Sequence, residues 1–335
     1  MKHNVKITLL LIFIFFLSQI FGLFIVREYV HTEKSINATT GKEQVNVEYN
    51  QIEVVNQKIE TPKVNESMSF IYIMIVIVVA TLFVLLLAKF RSVLFWKAWF
   101  SLSVFLSVYI AIFPFIKKIA LPYLASVIIT VALVGVLIFF KIYKRNTIVH
   151  NVTEVIMYGG IAAIFVPIIN LFSAFMLLIS ISVYDFIAVW KSKHMVTMAN
   201  FQTNSNVFAG LFLVYDNKTQ KIEKQFPKKK EDPEKHIAIE TESVKMKIPL
   251  PDKNEHMKQA ILGGGDIAFP LIFAATVMKA TASLPFALII VLFSTIALSM
   301  LLFLSKPNRF YPAMPFISLG CFVGYALVFL IQIMV

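Results

Sequence analysis

The stretch AILGGGDIAFPLIFAATVM, residues 260–278, decides what kind of chain this is. It is apolar enough and long enough to cross a bilayer, whose hydrocarbon core of about 30 Å takes roughly 20 helical residues. It nevertheless carries an acid, Asp266, directly after three glycines, Gly263, Gly264 and Gly265. A carboxylate inside a membrane costs several kcal/mol, so it is a candidate for function by default. Each glycine weakens a helix by about 1 kcal/mol relative to alanine. Beside a buried acid, such loosening lets another backbone come close.

The rest of the chain extends this reading. Its 335 residues are 58% hydrophobic and 15% charged, with 32 phenylalanines. A soluble domain carries roughly 25% charged residues, so the apolar surplus here faces lipid. Apolar runs at 5–26, 68–88, 93–116, 119–140, 148–166, 168–190, 260–278, 282–304 and 311–335 predict nine transmembrane helices in an all-α polytopic membrane protein. The first run is longer than a signal-peptide core and lacks a small-x-small cleavage site, so it is expected to be a permanent span. Residues 148–190 as one helix would extend roughly 64 Å, too long for a single crossing. Pro167 and Asn170 mark the expected turn. Three regions result: helices 1 to 6 in 1–190 with an outer loop at 27–67, a flexible loop at 191–257, and helices 7 to 9 in 258–335.

The net charge of +12 raises the question of nucleic acid, but the basic residues lie in short flanks and one long loop. That distribution is topogenic, and no nucleic-acid partner is expected. With the N-terminus inside, 23 of the 31 Lys and Arg residues fall on the inner side. Leaving out the two longest loops, which weigh less, the balance is 10 against 3. The expectation is a cell-membrane protein with its N-terminus and the 191–257 loop in the cytoplasm and its C-terminus outside. Lys228, Lys229 and Lys230 make the inner loop a solvated linker or one lying near anionic lipid. Asn37 and Asn65 open glycosylation triplets in the outer loop, a weak signal. Cys321 is alone, which excludes an intrachain disulfide and a cysteine-rich metal site.

All 19 acidic residues can be placed: seven in the outer loop, nine in the inner loop, and Glu154, Asp185 and Asp266 inside spans. Glu154 lies about six residues into the fifth span, within reach of Arg145, and reads as structural or interfacial. Asp185 precedes Lys191 by six residues, roughly 9 Å of helix, and Asp266 follows Lys258 by eight, roughly 12 Å. Consecutive antiparallel helices with acids at a common depth can bring them face to face. Two carboxylates a few ångström apart cannot both ionise cheaply, so they share a proton. One then acts as base toward water while the other protonates a carbonyl oxygen. The competing readings are two separate polar residues in a bundle, or a proton- or cation-coupled transporter. Transporter sites, however, tend to lie at the midplane between internal repeats, and no repeat is visible. Pro312-Ala313-Met314-Pro315 opens the ninth span at the same level, where Pro315 is expected to remove a helical hydrogen bond.

Tyr184-Asp185, Gly263-Gly264-Gly265-Asp266 and Pro312-Ala313-Met314-Pro315 resemble, in order, the YD, GxGD and PAL motifs of the presenilin and signal peptide peptidase family. Residues 193–199 (KHMVTMA) look like the family as well, and nine spans with a long loop between the acids fit it, so the resemblance covers nearly the whole chain. GxGD alone is weak; the three motifs in order are strong. The chain departs from the pattern in Met314, where leucine is usual, and has Gly264 at the variable position; neither is expected to touch the carboxylates.

The resemblance implies an aspartic endopeptidase that cleaves single-span membrane proteins within the membrane, without metal or cofactor. It makes Asp185 and Asp266 catalytic, supported by Tyr184, Gly263, Gly265, Pro312, Ala313 and Met314. The short length is similar to archaeal homologues that work without an obligatory partner subunit. Val244, Met246, Ile248 and Leu250 alternate with polar residues or proline before the seventh span, compatible with a short strand. Its edge is expected to pair with an unwound substrate. A prepilin-type peptidase would share GxGD but leave Tyr184 and the proline segment unexplained.

Overall fold

The computed structural model describes residues 5–36, 43–49, 52–54, 57–59, 65–90, 92–144, 146–192, 201–202, 205, 207–216, 257–305 and 311–334. The expected strand at 244–250 and the family-like 193–199 segment lie outside the described residues. So do Lys228, Lys229, Lys230, Asn37 and Arg145.

Nine long helices are described: α1 (Val5–Arg27), α2 (Ser69–Lys89), α3 (Val93–Lys117), α4 (Tyr123–Ile138), α5 (Thr147–Phe165), α6 (Leu171–Phe186), α7 (Gly264–Thr281), α8 (Leu284–Leu304) and α9 (Met314–Met334). Eight of these segments are long and apolar enough to cross a membrane by composition alone. The exception is α7, the helix that carries Asp266. It packs against α1, α5, α6, α8 and α9 together, and 13 of its 18 residues are buried. A helix so enclosed has little lipid contact, so it tolerates Asp266, Lys279 and its glycines without the hydropathy of an outer span. The outer helices carry the lipid surface: Leu82 on α2, Leu94 on α3 and Leu124 on α4 are all exposed.

The break at 166–170 forms as expected. A single 3-10 turn, Val166–Ile168, contains Pro167, and Asn170 caps α6 by accepting the Ser173 N–H at 2.8 Å. This corner leaves carbonyls that α5 can no longer satisfy. Lys279, near the end of α7, reaches them instead, donating to Val166 O at 3.2 Å and Ile169 O at 2.9 Å.

Close packing between spans relies on small residues. Gly160 of α5 lies so near α3 that a Cβ there would stand 1.9 Å from the Ser107 carbonyl oxygen. Phe175 of α6, Phe273 of α7 and Phe322 and Tyr325 of α9 form one aromatic knot with centroids 5.0–6.4 Å apart. That geometry favours edge-to-face and offset contacts, and it ties together the three helices that carry the aspartates and the Pro312–Met314 segment.

The described residues also contain six strands in three two-stranded antiparallel sheets: β1 (Val30–Ile36) with β2 (Glu43–Tyr49), β3 (Ile52–Val54) with β4 (Gln57–Ile59), and β5 (Gly210–Asp216) with β6 (Met257–Gly263). The last pair corrects the boundary of the seventh span. The chain is extended up to Gly263, and the helix begins at Gly264 rather than at 260. Ala260 and Leu262 are buried while Ile261 is exposed, the period-two pattern of a strand. Gly263 ends that strand in an extended conformation (φ −64°, ψ 145°) and serves as the N-cap of the helix that follows. The ninth helix likewise begins at Met314, not 311, placing Pro315 in its first turn. An N–H there has no helical acceptor, so Pro315 removes no helical hydrogen bond, contrary to expectation.

Candidate active site

Asp266 occupies the third position of α7, counted from Gly263 as its N-cap. Its carboxylate folds back to accept the Gly263 N–H, the reciprocal arm of a capping box. A Cβ on Gly263 would lie 3.2 Å from Asp266 Oδ2, so glycine at 263 clears the space this turn-back needs. The first turn of a helix also carries a positive dipole end that favours an anion. Four residues further, Pro270 has no N–H to offer the Asp266 carbonyl.

Asp185 lies at the end of the α-helical part of α6, just before a π-helical turn, Ile187–Ser192. Such turns admit an extra residue and are frequent at functional sites. Met314, the first residue of α9, donates its backbone N–H to Asp185 Oδ2 at 3.1 Å, and the Ala313 N–H also bonds this carboxylate. The free N–H groups at the start of α9 thus face one acid, while α7 carries the other in its first turn. The two carboxylates lie within each other's electrostatic reach, and both residues are half-buried.

The expectation that Met314 stays clear of the carboxylates was wrong: its side chain is buried, but its backbone N–H is a direct ligand of Asp185. Pro312 is buried in the lead-in to α9. Tyr184 shares a hydrogen bond with Thr81 Oγ1 of α2 at 2.9 Å, and Ser182 donates to Ser318 of α9 at 2.9 Å. These bonds, one and three residues before the aspartate, fix the rotation of α6. Gly265 lines an apolar cavity of about 340 Å³ together with Tyr158, Gly264, Phe269, Ile73 and Ile77.

Sequence reasoning missed His150, Asn151 and Tyr158 and did not foresee the partners of Glu154 and Lys141. Glu154, read as structural or interfacial, is fully buried and paired with Lys141 across helices, a structural placement. It also accepts a hydrogen bond from the Tyr158 hydroxyl. Lys141 had been counted as a flanking charge. A π turn, Phe139–Tyr143, carries it into the bundle. His150 Nε2 lies 2.9 Å from Gly210 O, and Asn151 bonds both Phe212 O and Phe212 N, at 2.9 and 3.1 Å. The spacing 150, 151, 154, 158 is a helical stripe, the one signal in the sequence that could have flagged them. Among the described residues, no group of His, Cys, Asp and Glu is arranged to hold a metal ion.

The chain belongs to the family of signal-peptide peptidase and presenilin aspartyl proteases, whose pattern matches residues 46–334. It is therefore an intramembrane aspartyl protease. Its fold is similar to that of a presenilin family intramembrane aspartate protease solved in two crystal forms. In the C222 form the identity is 17% and the TM-score 0.56, covering 96% of this chain and 99% of the other. In the P2 form the values are 16% and 0.55, covering 95% and 96%. No curated protein matches the sequence.

Proposed function

We propose that Asp185 and Asp266 are the catalytic dyad of this protease and that its substrates are single transmembrane helices, cleaved without metal or cofactor. The carrying observation is that two acids from consecutive helices lie within electrostatic reach, with backbone N–H groups bonded to both. Together they hold one proton. The ionised member takes a proton from water, which attacks the scissile carbonyl, and the protonated member donates to the carbonyl oxygen. Collapse of the tetrahedral intermediate returns a proton to the leaving amine. Tyr184, Gly263, Gly265, Pro312, Ala313 and Met314 support the geometry.

A transmembrane helix must unwind before its peptide bonds can be reached, and freed backbone groups in hydrocarbon cost several kcal/mol each. We infer that β6 meets this need, a role expected of 244–250. Asn151 bonds both the N–H and the C=O of Phe212, so these point away from β6. Ile261 is paired with Phe212. In an antiparallel ladder, Ile261 therefore directs its own N–H and C=O to the opposite edge of β6. Among the described residues no further strand occupies that edge, and a substrate strand added there leads toward Asp266.

The charge distribution supports an inner N-terminus and inner 191–257 loop, and the chain is expected to act in lipid without a partner subunit. Purified protein in lipid, incubated with a single-span peptide, tests the reading. Cleavage lost in Asp185→Ala supports it; ion flux without cleavage would support a transporter instead.

A further inference from the structure

We propose that Tyr158, held in place by Glu154 and Lys141, is a positioning residue for Asp266: its phenol is the wall on which the first turn of α7 is seated. This rests on the dyad reading above. Glu154, Tyr158 and Lys141 are 0%, 2% and 4% exposed, and all three lie on α5 or at the end of α4, outside the two helices that carry the aspartates. A buried ion pair is weak evidence for stability, because desolvation offsets much of the attraction. Orientation is the better account here, since the pair ends on one side chain. Lys141 holds Glu154, Glu154 accepts from the Tyr158 hydroxyl, and the phenol is thereby fixed at both ends of its ring.

The ring points at the glycine segment. A Cβ on Gly264 would stand 2.8 Å from the Tyr158 hydroxyl oxygen and 3.2 Å from its Cε1. Gly264 is the first residue of α7, two before Asp266. With no side chain at 264, the helix start comes up against Tyr158 directly. The apolar cavity of about 340 Å³ flanks the same turn through Gly264, Gly265 and Phe269. Space is therefore available for the turn to shift, and Tyr158 opposes that shift on one side. The Tyr158 proton is donated to Glu154, so the role is to place Asp266 rather than to exchange protons with substrate. Misplacement of a reacting group by about 1 Å can lower turnover as much as 10²-fold.

Four variants of the full chain in lipid test this with a fluorogenic single-span peptide: Tyr158→Phe, Gly264→Ala, their combination, and Lys141→Met/Glu154→Gln. The last removes both charges together, so that neither is left unpaired. The expected result is a kcat about tenfold lower for Tyr158→Phe, with KM unchanged, and a smaller loss for Lys141→Met/Glu154→Gln, whose amide oxygen can still accept from the phenol. Gly264→Ala should also lose kcat, and adding Tyr158→Phe to it should restore activity in part, because the oxygen that the new Cβ meets is gone. The proposal is overturned if Tyr158→Phe turns over at the parental rate, if the change falls on KM, or if the losses of Tyr158→Phe and Gly264→Ala multiply independently. Should Tyr158→Phe fail to fold, Gly264→Ala decides: parental kcat overturns the idea. Asp185→Asn run alongside separates the two claims, since its activity would sink the dyad itself.

Discussion

The backbone N–H of Met314 donates to Oδ2 of Asp185 at 3.1 Å. The proline-flanked segment before α9 thus acts through its main chain: it delivers the unpaired N–H groups of a helix start to an acid on α6. Side-chain identity at 314 is secondary to the presence of that N–H.

Met314→Leu should therefore keep near-parental turnover, since it conserves volume and leaves the donor. Met314→Pro removes the donor. A hydrogen bond to a charged group is worth about 1.5–3 kcal/mol, so kcat/KM should fall about 10- to 100-fold. Peptide cleavage rates of the two variants, normalised to folded protein, check this. Equal loss in both would mean that the side chain, not the N–H, matters.

Activity should be bell-shaped in pH, with two apparent constants that belong to the pair of aspartates. The working form holds one proton. As pH falls through the lower constant both acids become protonated and the base is lost. As pH rises through the upper one both ionise and the acid is lost. A cleavage rate that climbs without a maximum into the alkaline range contradicts a shared proton.

Ile261→Pro should lower cleavage of a membrane peptide at least tenfold while leaving β5 and β6 paired. The N–H it deletes points to the outer edge of β6, not into the ladder with β5. Ile261→Val keeps the donor and should cleave normally. Parental rates for the proline variant would end the strand-addition idea without touching the dyad.

Gly160→Ala should destabilise the bundle rather than the chemistry. Its Cβ would lie 1.9 Å from the Ser107 backbone oxygen, so α3 and α5 must separate. Overpacking of this kind costs about 1–3 kcal/mol. Thermal unfolding in detergent should show the loss; an unchanged transition would mean that the two helices are not held this closely.

How much of this was legible in the sequence follows from what is local. Hydropathy is local, so the spans and the two intramembrane acids could be read directly, as could the turn at Pro167 and Asn170. Strand pairing is not. Gly210–Asp216 meets Met257–Gly263 across a long separation, and the apolar residues of β6 run straight into α7, so the strand was read as the start of a helix. The depth assigned to Asp266 by helical rise inherited that error. Glu154 was read as structural or interfacial with Arg145 in reach, because its partner Lys141 lies on another helix and looked like a flanking charge. The Met314 contact was invisible because a backbone N–H leaves no mark in side-chain pattern.

The most direct measurement of the central claim is the cleavage rate of a single-span peptide by Asp185→Asn and by Asp266→Asn, each compared with the parent at matched thermal unfolding. Asparagine keeps the shape of the side chain and removes a costly intramembrane acid, so both variants should fold at least as well as the parent. Neither can hold or exchange the shared proton, so both should lose cleavage to background. Cleavage near the parental rate by either folded variant would contradict a catalytic pair formed by Asp185 and Asp266.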